Sequence, residues 1–253
     1  MAKISLFFSV LLFLSISIIT FAQEMKPEAG KLYNEGNALL KSGNVNGAIE
    51  KYNASLNIEK DYRTYYQKGV ALKKAGNLEE AKTAFEDCLK LNNGFEGALN
   101  ALGGVYFSMG NYSAAIENFD KVLKSSTNNS VKTKVKKNIS LAYAKLGNES
   151  LSGGDVNKGV DYLKKSVEND NYDAAYLSLA KVYSETGKYD EAIEAAQNAL
   201  KYRSKITKGG PYYYIGISYK GKNDLIKAKE NFKLASADPT YKKTADYELG
   251  LLK

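Results

Sequence analysis

The chain has no histidine and only one cysteine, Cys88, among its 253 residues. Without an imidazole, the sequence excludes Ser-His-Asp and Cys-His catalysis as well as histidine metal sites. One cysteine cannot form an intramolecular disulfide or a thiolate metal site. We therefore expect Cys88 to be a small buried apolar residue rather than a reactive thiol.

Phosphate-binding and acid/base motifs are missing as well. The order G-x-x-x-x-G-K-[ST] does not occur, which excludes the usual phosphate loop. The carboxylate pairs Glu79–Glu80 and Glu191–Glu194 are expected to be surface charge on outer helices. We therefore predict that the protein is not an enzyme and has no catalytic residue, metal or cofactor.

Arginine is scarce although the chain is basic. The formal net charge is +8, but only Arg63 and Arg203 among the 36 basic residues are arginines. Nucleic-acid-binding proteins usually depend on the guanidinium fork to contact bases and phosphates. Lysines on solvated helix faces explain the charge better, and we expect no nucleic-acid partner.

Long apolar runs are confined to the N-terminus. Lys3 precedes the uncharged residues 4–21, and Thr20-Phe21-Ala22 ends the run with a small residue. This layout is typical of a secretory signal peptide at residues 1–22, cleaved after Ala22. The alternative is an uncleaved membrane anchor, since about eighteen apolar residues just span a bilayer. We expect export across the inner membrane to the periplasm.

A repeat of about 34 residues follows. Gly36, Gly69 and Gly103 lie 33 and then 34 residues apart. At the same spacings, each is followed by a glycine, an alanine and an aromatic residue: Gly43, Ala48 and Tyr52; Gly76, Ala81 and Phe85; Gly110, Ala115 and Phe119. Large residues at helical spacing around these positions predict two helices per unit, and strand-like alternation is absent. The chain is predicted to be all-α.

Three less regular units continue the pattern. Their marker residues are Tyr143, Gly147, Gly154, Gly159 and Leu163; Tyr176, Ala180, Gly187, Ala192 and Ala196; and Tyr212, Gly216, Ala228 and Phe232. The Gly-Asn and Gly-Asp pairs predict a left-handed residue followed by a helix N-cap. Asn77 followed by Glu80 fits a capping box.

The pattern aromatic-x-x-L-G-x-x-Y followed by A-x-x-x-F resembles the tetratricopeptide repeat family over nearly all of residues 23–253. The resemblance implies an all-α, right-handed superhelical solenoid of about six helix-turn-helix units and a C-terminal capping helix. The predicted units span residues 29–61, 62–95, 96–129, 140–173, 173–206 and 209–242, with the cap at 243–253.

Two insertions interrupt the pattern. Val131, Val135 and Ile139 form an apolar stripe, which predicts that the first helix of the fourth unit is extended and starts near residue 130. The lysines within Lys132–Lys137 would form a solvated face or contact an acidic partner or anionic lipid. The segment Gly209–Pro211 fits either a hinge or a helix stop and start.

In this family the first helices line a concave groove, so the resemblance implies partner binding there. Tyrosine, lysine and asparagine suit an extended peptide with acidic groups. The implied binding residues are Tyr33, Asn37, Lys41, Arg63, Tyr66, Lys73, Lys74, Asn100, Phe107, Lys181, Tyr213 and Lys220, with Asn148 as a further groove position. The Lys/Asn pattern of family members that bind C-terminal carboxylates is not matched, because Tyr33, Gln67, Gly97 and Ala101 occupy its positions.

The leading hypothesis is an exported protein-interaction scaffold that binds a partner peptide or protein segment in its groove. One alternative is a structural component of a cell-envelope assembly complex that docks through its convex face or its ends. Another is a membrane-surface protein that uses the lysines of Lys132–Lys137 for peripheral contact. The sequence leaves the oligomeric state open.

Overall fold

The computed structural model describes residues 24–252, so the predicted signal peptide at residues 1–22 lies outside the described residues. The described chain forms thirteen α-helices and no strand. The helices are α1 (Pro27–Lys41), α2 (Val45–Ile58), α3 (Tyr62–Ala75), α4 (Leu78–Leu91), α5 (Glu96–Ser108), α6 (Tyr112–Ser125), α7 (Asn129–Ser152), α8 (Val156–Asn169), α9 (Asp173–Glu185), α10 (Tyr189–Lys201), α11 (Gly209–Gly221), α12 (Leu225–Ser236) and α13 (Lys242–Leu251).

The helices stack in one direction along the chain. Each helix packs against the next from α1 to α13, and the remaining substantial contacts reach only the next helix but one. The first twelve helices form six pairs, and α13 follows the last pair. An array whose units contact only their neighbours is a solenoid. The prediction of an all-α repeat solenoid is therefore confirmed.

In four of the pairs, an aromatic ring of the second helix lies on a glycine of the first. These pairs are Gly36–Tyr52, Gly69–Phe85, Gly103–Phe119 and Gly216–Phe232. A Cβ added to any of these glycines would lie 2.6 or 2.7 Å from a ring carbon, so no side chain fits there. The fully buried rings thus pack directly on the backbone of the first helix.

The fourth and fifth pairs close with smaller side chains. Leu163 takes the place of the ring and lies against Gly147, where an added Cβ would be 2.7 Å from the leucine side chain. In the fifth pair, Ala180 and Ala196 are both fully buried in the same cluster. Because these contacts are smaller, the two pairs bury less apolar surface at the position where the other four pairs bury a ring.

The turn inside each pair needs a left-handed residue. Gly43, Gly76, Gly110, Gly154 and Gly187 have φ between 77° and 87°, and Asn223 takes this role in the sixth turn with φ 61°. The following residue caps the second helix in four turns, through Asn44, Asn111, Asp155 and Asp224. Asn77 makes no capping hydrogen bond, so the capping-box prediction is wrong. Its side chain instead lines a cavity between α2, α3 and α4.

Helix α7 has 24 residues, ten more than α3. The side chain of Asn128 accepts hydrogen bonds from the backbone N–H groups of Ser130 and Val131 and caps its start. Val135 and Ile139 are buried in a cluster with residues of α6. The apolar stripe seen in the sequence therefore holds the extended part of α7 against the preceding unit.

A buried carboxylate fastens the segment between α10 and α11. Asp173 is fully buried and accepts backbone hydrogen bonds from Ser204 at 2.6 Å, Lys205 at 2.7 Å and Ile206 at 3.2 Å. Burial by itself would raise the pKa of Asp173, but these N–H donors outweigh burial and lower the pKa below its ordinary value. Gly209–Pro211 follows as the buried first turn of α11, so it is a helix start.

Helix α13 packs on α12 at the C-terminal end. Ala245 is fully buried there, and the Lys220 Nζ forms a 2.6 Å ion pair with the Glu248 carboxylate. Ile226 and Tyr247 nevertheless remain 77% and 66% exposed. Large apolar side chains therefore remain exposed on both α12 and α13.

We predict that Gly69→Ala lowers the free energy of unfolding by about 1–3 kcal/mol, because the new methyl group overlaps the ring of Phe85. Gly94→Ala is the matched control, since a Cβ there meets no atom within 4 Å. Urea unfolding followed by circular dichroism measures both variants. Equal stability of the two would contradict the ring-on-glycine contact.

We predict that Asp173→Asn lowers the free energy of unfolding by about 1–3 kcal/mol at pH 7, because a neutral amide oxygen accepts these N–H hydrogen bonds more weakly than the carboxylate does, and the amide NH2 group cannot accept the one from Ala174. The native pKa of Asp173 is lowered, so its stabilisation is present above the unfolded pKa of about 3.9 and is lost as pH falls through the native value. The difference from wild type should therefore narrow below about pH 4.

Unfolding curves at pH 7 and at pH 3 test this dependence. Asp170→Asn serves as the control, because the Asp170 carboxylate accepts a hydrogen bond from none of these N–H groups. A difference between Asp173→Asn and wild type that is the same at both pH values would show that the carboxylate charge is not involved.

Candidate functional site

The first helices of the pairs form the inner layer of the stack. Helix α1 contacts α3, α3 contacts α5, α7 contacts α9, and α9 contacts α11. Contact of this extent is not found between α5 and α7. Direct contact within the inner layer is therefore weakest between the third and fourth pairs.

A groove lies between α3, α5 and α7. It holds two adjoining cavities of about 290 and 480 Å³, and Lys73, Gly104 and Asn138 line both. The remaining lining residues are Val70, Lys74, Phe85, Asn100, Ala101, Phe107, Ser108, Phe119 and Leu141. We call this surface the central groove.

The central groove is basic. None of its lining residues is acidic. Helix α3 carries four basic residues and no acidic one, and α7 carries five lysines and one glutamate. Lys73 and Lys74 are exposed and take part in none of the ion pairs found within residues 24–252. A concave surface lined by one sign of charge attracts the opposite sign, so the groove favours anionic groups.

The structure brings four of the predicted binding residues together in the central groove. Lys73 and Lys74 come from the last turn of α3, and Asn100 and Phe107 come from α5. The Phe107 ring packs edge-on against Tyr112, with ring centroids 5.2 Å apart, and forms part of the smaller cavity. The groove thus combines cationic, amide and aromatic groups.

Two other predicted residues of α3 are engaged within the protein. The Tyr66 ring makes an edge contact with Phe95 at a centroid distance of 5.1 Å and lies 5.9 Å from Phe85. Burial raises the pKa of Tyr66. Arg63 forms a 2.7 Å ion pair with Asp61. The Tyr66 ring therefore contributes mainly to packing between the second and third units.

The predicted residues of α1 lie outside the central groove. Asn37 accepts a 2.8 Å hydrogen bond from the hydroxyl of Tyr52, and the Tyr33 ring centroid is 6.3 Å from that of Tyr52. Lys41 is exposed in the last turn of α1. Of these three residues, only Lys41 is exposed, and the other two are half-buried.

The predicted residues near the C-terminus also lie elsewhere. Lys181 is exposed and lines a separate cavity of about 350 Å³ together with Asn148. The Tyr213 ring packs near Phe232 and near a tyrosine that precedes α13. Lys220 pairs with Glu248 on α13. Intramolecular contacts therefore occupy much of the Tyr213 and Lys220 side chains.

Sequence reasoning missed Gly104, Asn138 and Leu141. Asn138 precedes residue 140, where the fourth unit was predicted to begin, so the repeat frame did not reach it. Gly103 occupies the glycine position of the repeat, so the repeat pattern assigned no role to Gly104. The apolar stripe of α7 did predict a helix that contains Asn138. Asn138 follows the buried Val135 by three residues, so helical spacing would have placed it beside the packed face of α7.

A further cavity, of about 560 Å³, lies between α2, α3 and α4. Its lining includes Glu50, Glu80 and Asp87 but only one basic residue, Lys68. The floor is partly apolar, with Ile49 among its residues. The outer surface of the second unit is therefore acidic where the central groove is basic.

The single thiol and the acidic side chains of the described residues were the candidates for a reactive or metal-binding centre. Cys88 is fully buried, and burial raises its pKa to about 12, so the thiol stays protonated. Among residues 24–252, no cluster of three or more cysteine or acidic side chains is arranged to hold a metal ion. No helix in that range is both long and apolar enough to span a membrane.

A sequence profile described as "Tetratricopeptide repeat" matches residues 62–95, 97–129 and 174–206. These segments contain the pairs α3–α4, α5–α6 and α9–α10. The BBSome complex member BBS4 of Bos taurus is 24% identical over 203 residues, which is 76% of this chain. The chain spans only 37% of the length of that relative.

Solved structures give the same fold. MamA (residues 41 to the end) from Desulfovibrio magneticus RS-1 has a TM-score of 0.52 and 22% identity, covering 70% of this chain and 94% of that one. YrrB, described as a TPR protein with an unusual peptide-binding site, has a TM-score of 0.52 and 18% identity, covering 78% and 96%. At this identity the likeness is one of fold. Residues 62–95, 97–129 and 174–206 thus match the tetratricopeptide repeat profile, and the described chain folds as a solenoid of helix pairs.

Proposed function

We propose that this chain is an exported protein-interaction scaffold that binds a segment of a partner protein in the central groove. The observation that carries the proposal is the pair of adjoining cavities between α3, α5 and α7. They bring together exposed lysines, an exposed amide and apolar side chains, which are the groups that an extended segment needs for binding.

Each kind of group has a role in such binding. Asn100 and Asn138 offer amide donors and acceptors to the backbone of an extended segment. Lys73 and Lys74 provide positive charge, and Phe107 provides apolar surface. The description of YrrB as a protein with a peptide-binding site supports the same kind of ligand for a repeat stack of this fold.

We infer export from the N-terminal sequence alone. Lys3, the apolar residues 4–21 and Ala22 have the order of a cleavable secretory signal. In a Gram-negative cell, such a chain would carry out its binding in the periplasm. Partners that share this compartment are therefore the ones to search for.

We predict that Lys73→Ala/Lys74→Ala lowers the affinity for a groove-bound partner at least about tenfold, since hydrogen bonds to charged groups contribute about 1.5–3 kcal/mol each. Tyr66 is left unchanged because its ring packs against Phe85 and Phe95. The measurement is affinity capture from a native envelope extract, followed by titration of the captured protein.

Lys121→Ala/Lys124→Ala is the matched control. It removes the same charge from exposed positions of α6, outside the central groove. A partner lost by the α3 variant and kept by the α6 variant supports groove binding. Equal capture by both variants would move the interface to the outer face or the ends of the stack, and the proposal would fail.

We predict that the chain, expressed with its own N-terminus in a Gram-negative bacterium, is recovered from the periplasmic fraction starting at Gln23. Intact-mass spectrometry and N-terminal sequencing measure this. Ala22→Tyr should leave the precursor uncut, because a large residue then precedes the cleavage site. Recovery of the uncut wild-type chain from the membrane would indicate an anchor, and recovery from the cytoplasm would contradict export.

A further inference from the structure

Helix α5 contains a glycine that the repeat packing does not explain. Gly103 receives the ring of Phe119, but the next residue, Gly104, has no such neighbour. Within 4 Å of a Cβ added to Gly104, the nearest group is the Nζ of Lys73, at 2.9 Å. Glycine inside a helix is unfavourable compared with alanine. The helix therefore tolerates an unfavourable residue at a position where its own packing leaves room for a methyl group.

The missing side chain has two effects on the central groove. It lets the ammonium group of Lys73 lie directly over α5, and it leaves the smaller cavity open beside Phe107 and Leu141. That cavity, of about 290 Å³, is many times the roughly 30 Å³ that one water molecule occupies. Its walls include Phe107, Phe119 and Leu141, so it suits a bulky apolar side chain.

Positive charge flanks this pocket on both sides. Lys73 and Lys74 lie on α3. On α7, Lys134 precedes Asn138 by four residues and Lys137 precedes Leu141 by four residues, so helical geometry places each lysine one turn along the same face. Both α7 lysines are exposed. An apolar pocket is thus bordered by cationic groups of two different helices.

We infer that the central groove selects an acidic protein segment that inserts one bulky apolar side chain beside Gly104. Carboxylates before and after that side chain would face the lysines of α3 and α7. The charge of the groove is the argument for this ligand, since no acidic residue lines either cavity. The inference rests on the groove-binding function proposed above and states the chemistry of its ligand.

A display library of random twelve-residue peptides tests the inference without a known partner. The full chain is the target, and each selected peptide is titrated against wild type and against Lys73→Ala/Lys74→Ala. We expect peptides with Asp or Glu on both sides of one Leu, Ile, Met or Phe, and at least tenfold weaker binding to the variant. Their affinity should also fall with added salt.

The other outcomes separate the two proposals. Selected peptides that are neutral or basic, yet depend on Lys73 and Lys74, would overturn the acidic ligand and leave groove binding intact. Peptides that bind the variant as well as wild type, or the absence of any selected peptide, would overturn both.

A second set of variants tests the pocket. Gly104→Leu fills it and should weaken the selected peptides at least tenfold, and replacing their apolar residue by serine should then cost little more. Ser113→Leu, which adds the same side chain at an exposed position of α6, should bind as wild type does. Gly104→Ala should melt no lower than wild type and yet bind more weakly, because its methyl group displaces Lys73. If Gly104→Leu bound the selected peptides with wild-type affinity, the proposed role of the pocket would be wrong.

Discussion

The architecture depends on the contact between an aromatic ring of the second helix and a glycine of the first, which four of the six pairs share. Because Phe85 and Phe119 lie on the bare backbone at Gly69 and Gly103, the two helices of a pair approach closely. Contacts between neighbouring pairs then hold the first helices together as an inner layer. The central groove depends on this packing, since every residue that lines it belongs to a unit closed in this way or to α7, which packs against such a unit.

Charge is distributed unequally over this framework. Helix α4 carries four acidic residues against two lysines, whereas α3, its partner in the same unit, carries only basic ones. Lys73 and Lys74 of α3 line the basic central groove. Glu80 and Asp87 of α4 line the acidic outer cavity of the second unit. The net charge of +2 for α3 and α4 together, six basic against four acidic residues, thus conceals two surfaces of opposite preference.

The fold was predictable because its determinants are local or strictly periodic. The glycines at Gly43, Gly76 and Gly110 mark their turns directly, and the stripe at Val131, Val135 and Ile139 marks the length of α7. The site was harder to predict, because it depends on how far α5 lies from α7, and no spacing in the sequence encodes that distance. Periodicity likewise cannot distinguish a tyrosine that packs, such as Tyr66, from one that faces a partner. Asn223 and Asp173 escaped prediction because each has a role that appears only once among residues 24–252.

The use of lysine rather than arginine has consequences for how the central groove recognises a ligand. Lysine is a hydrated point charge on a flexible stem. It lacks the planar guanidinium of arginine, which binds a carboxylate in one geometry. Lys73, Lys74, Lys134 and Lys137 therefore favour a sign of charge without fixing the position of each carboxylate. Register must then come from the part of the groove that has a definite shape, which is the cavity beside Gly104 and Phe107. Adjacent glycines thus have separate tasks in α5: Gly103 receives a ring from within the protein, and Gly104 keeps room for a side chain from outside.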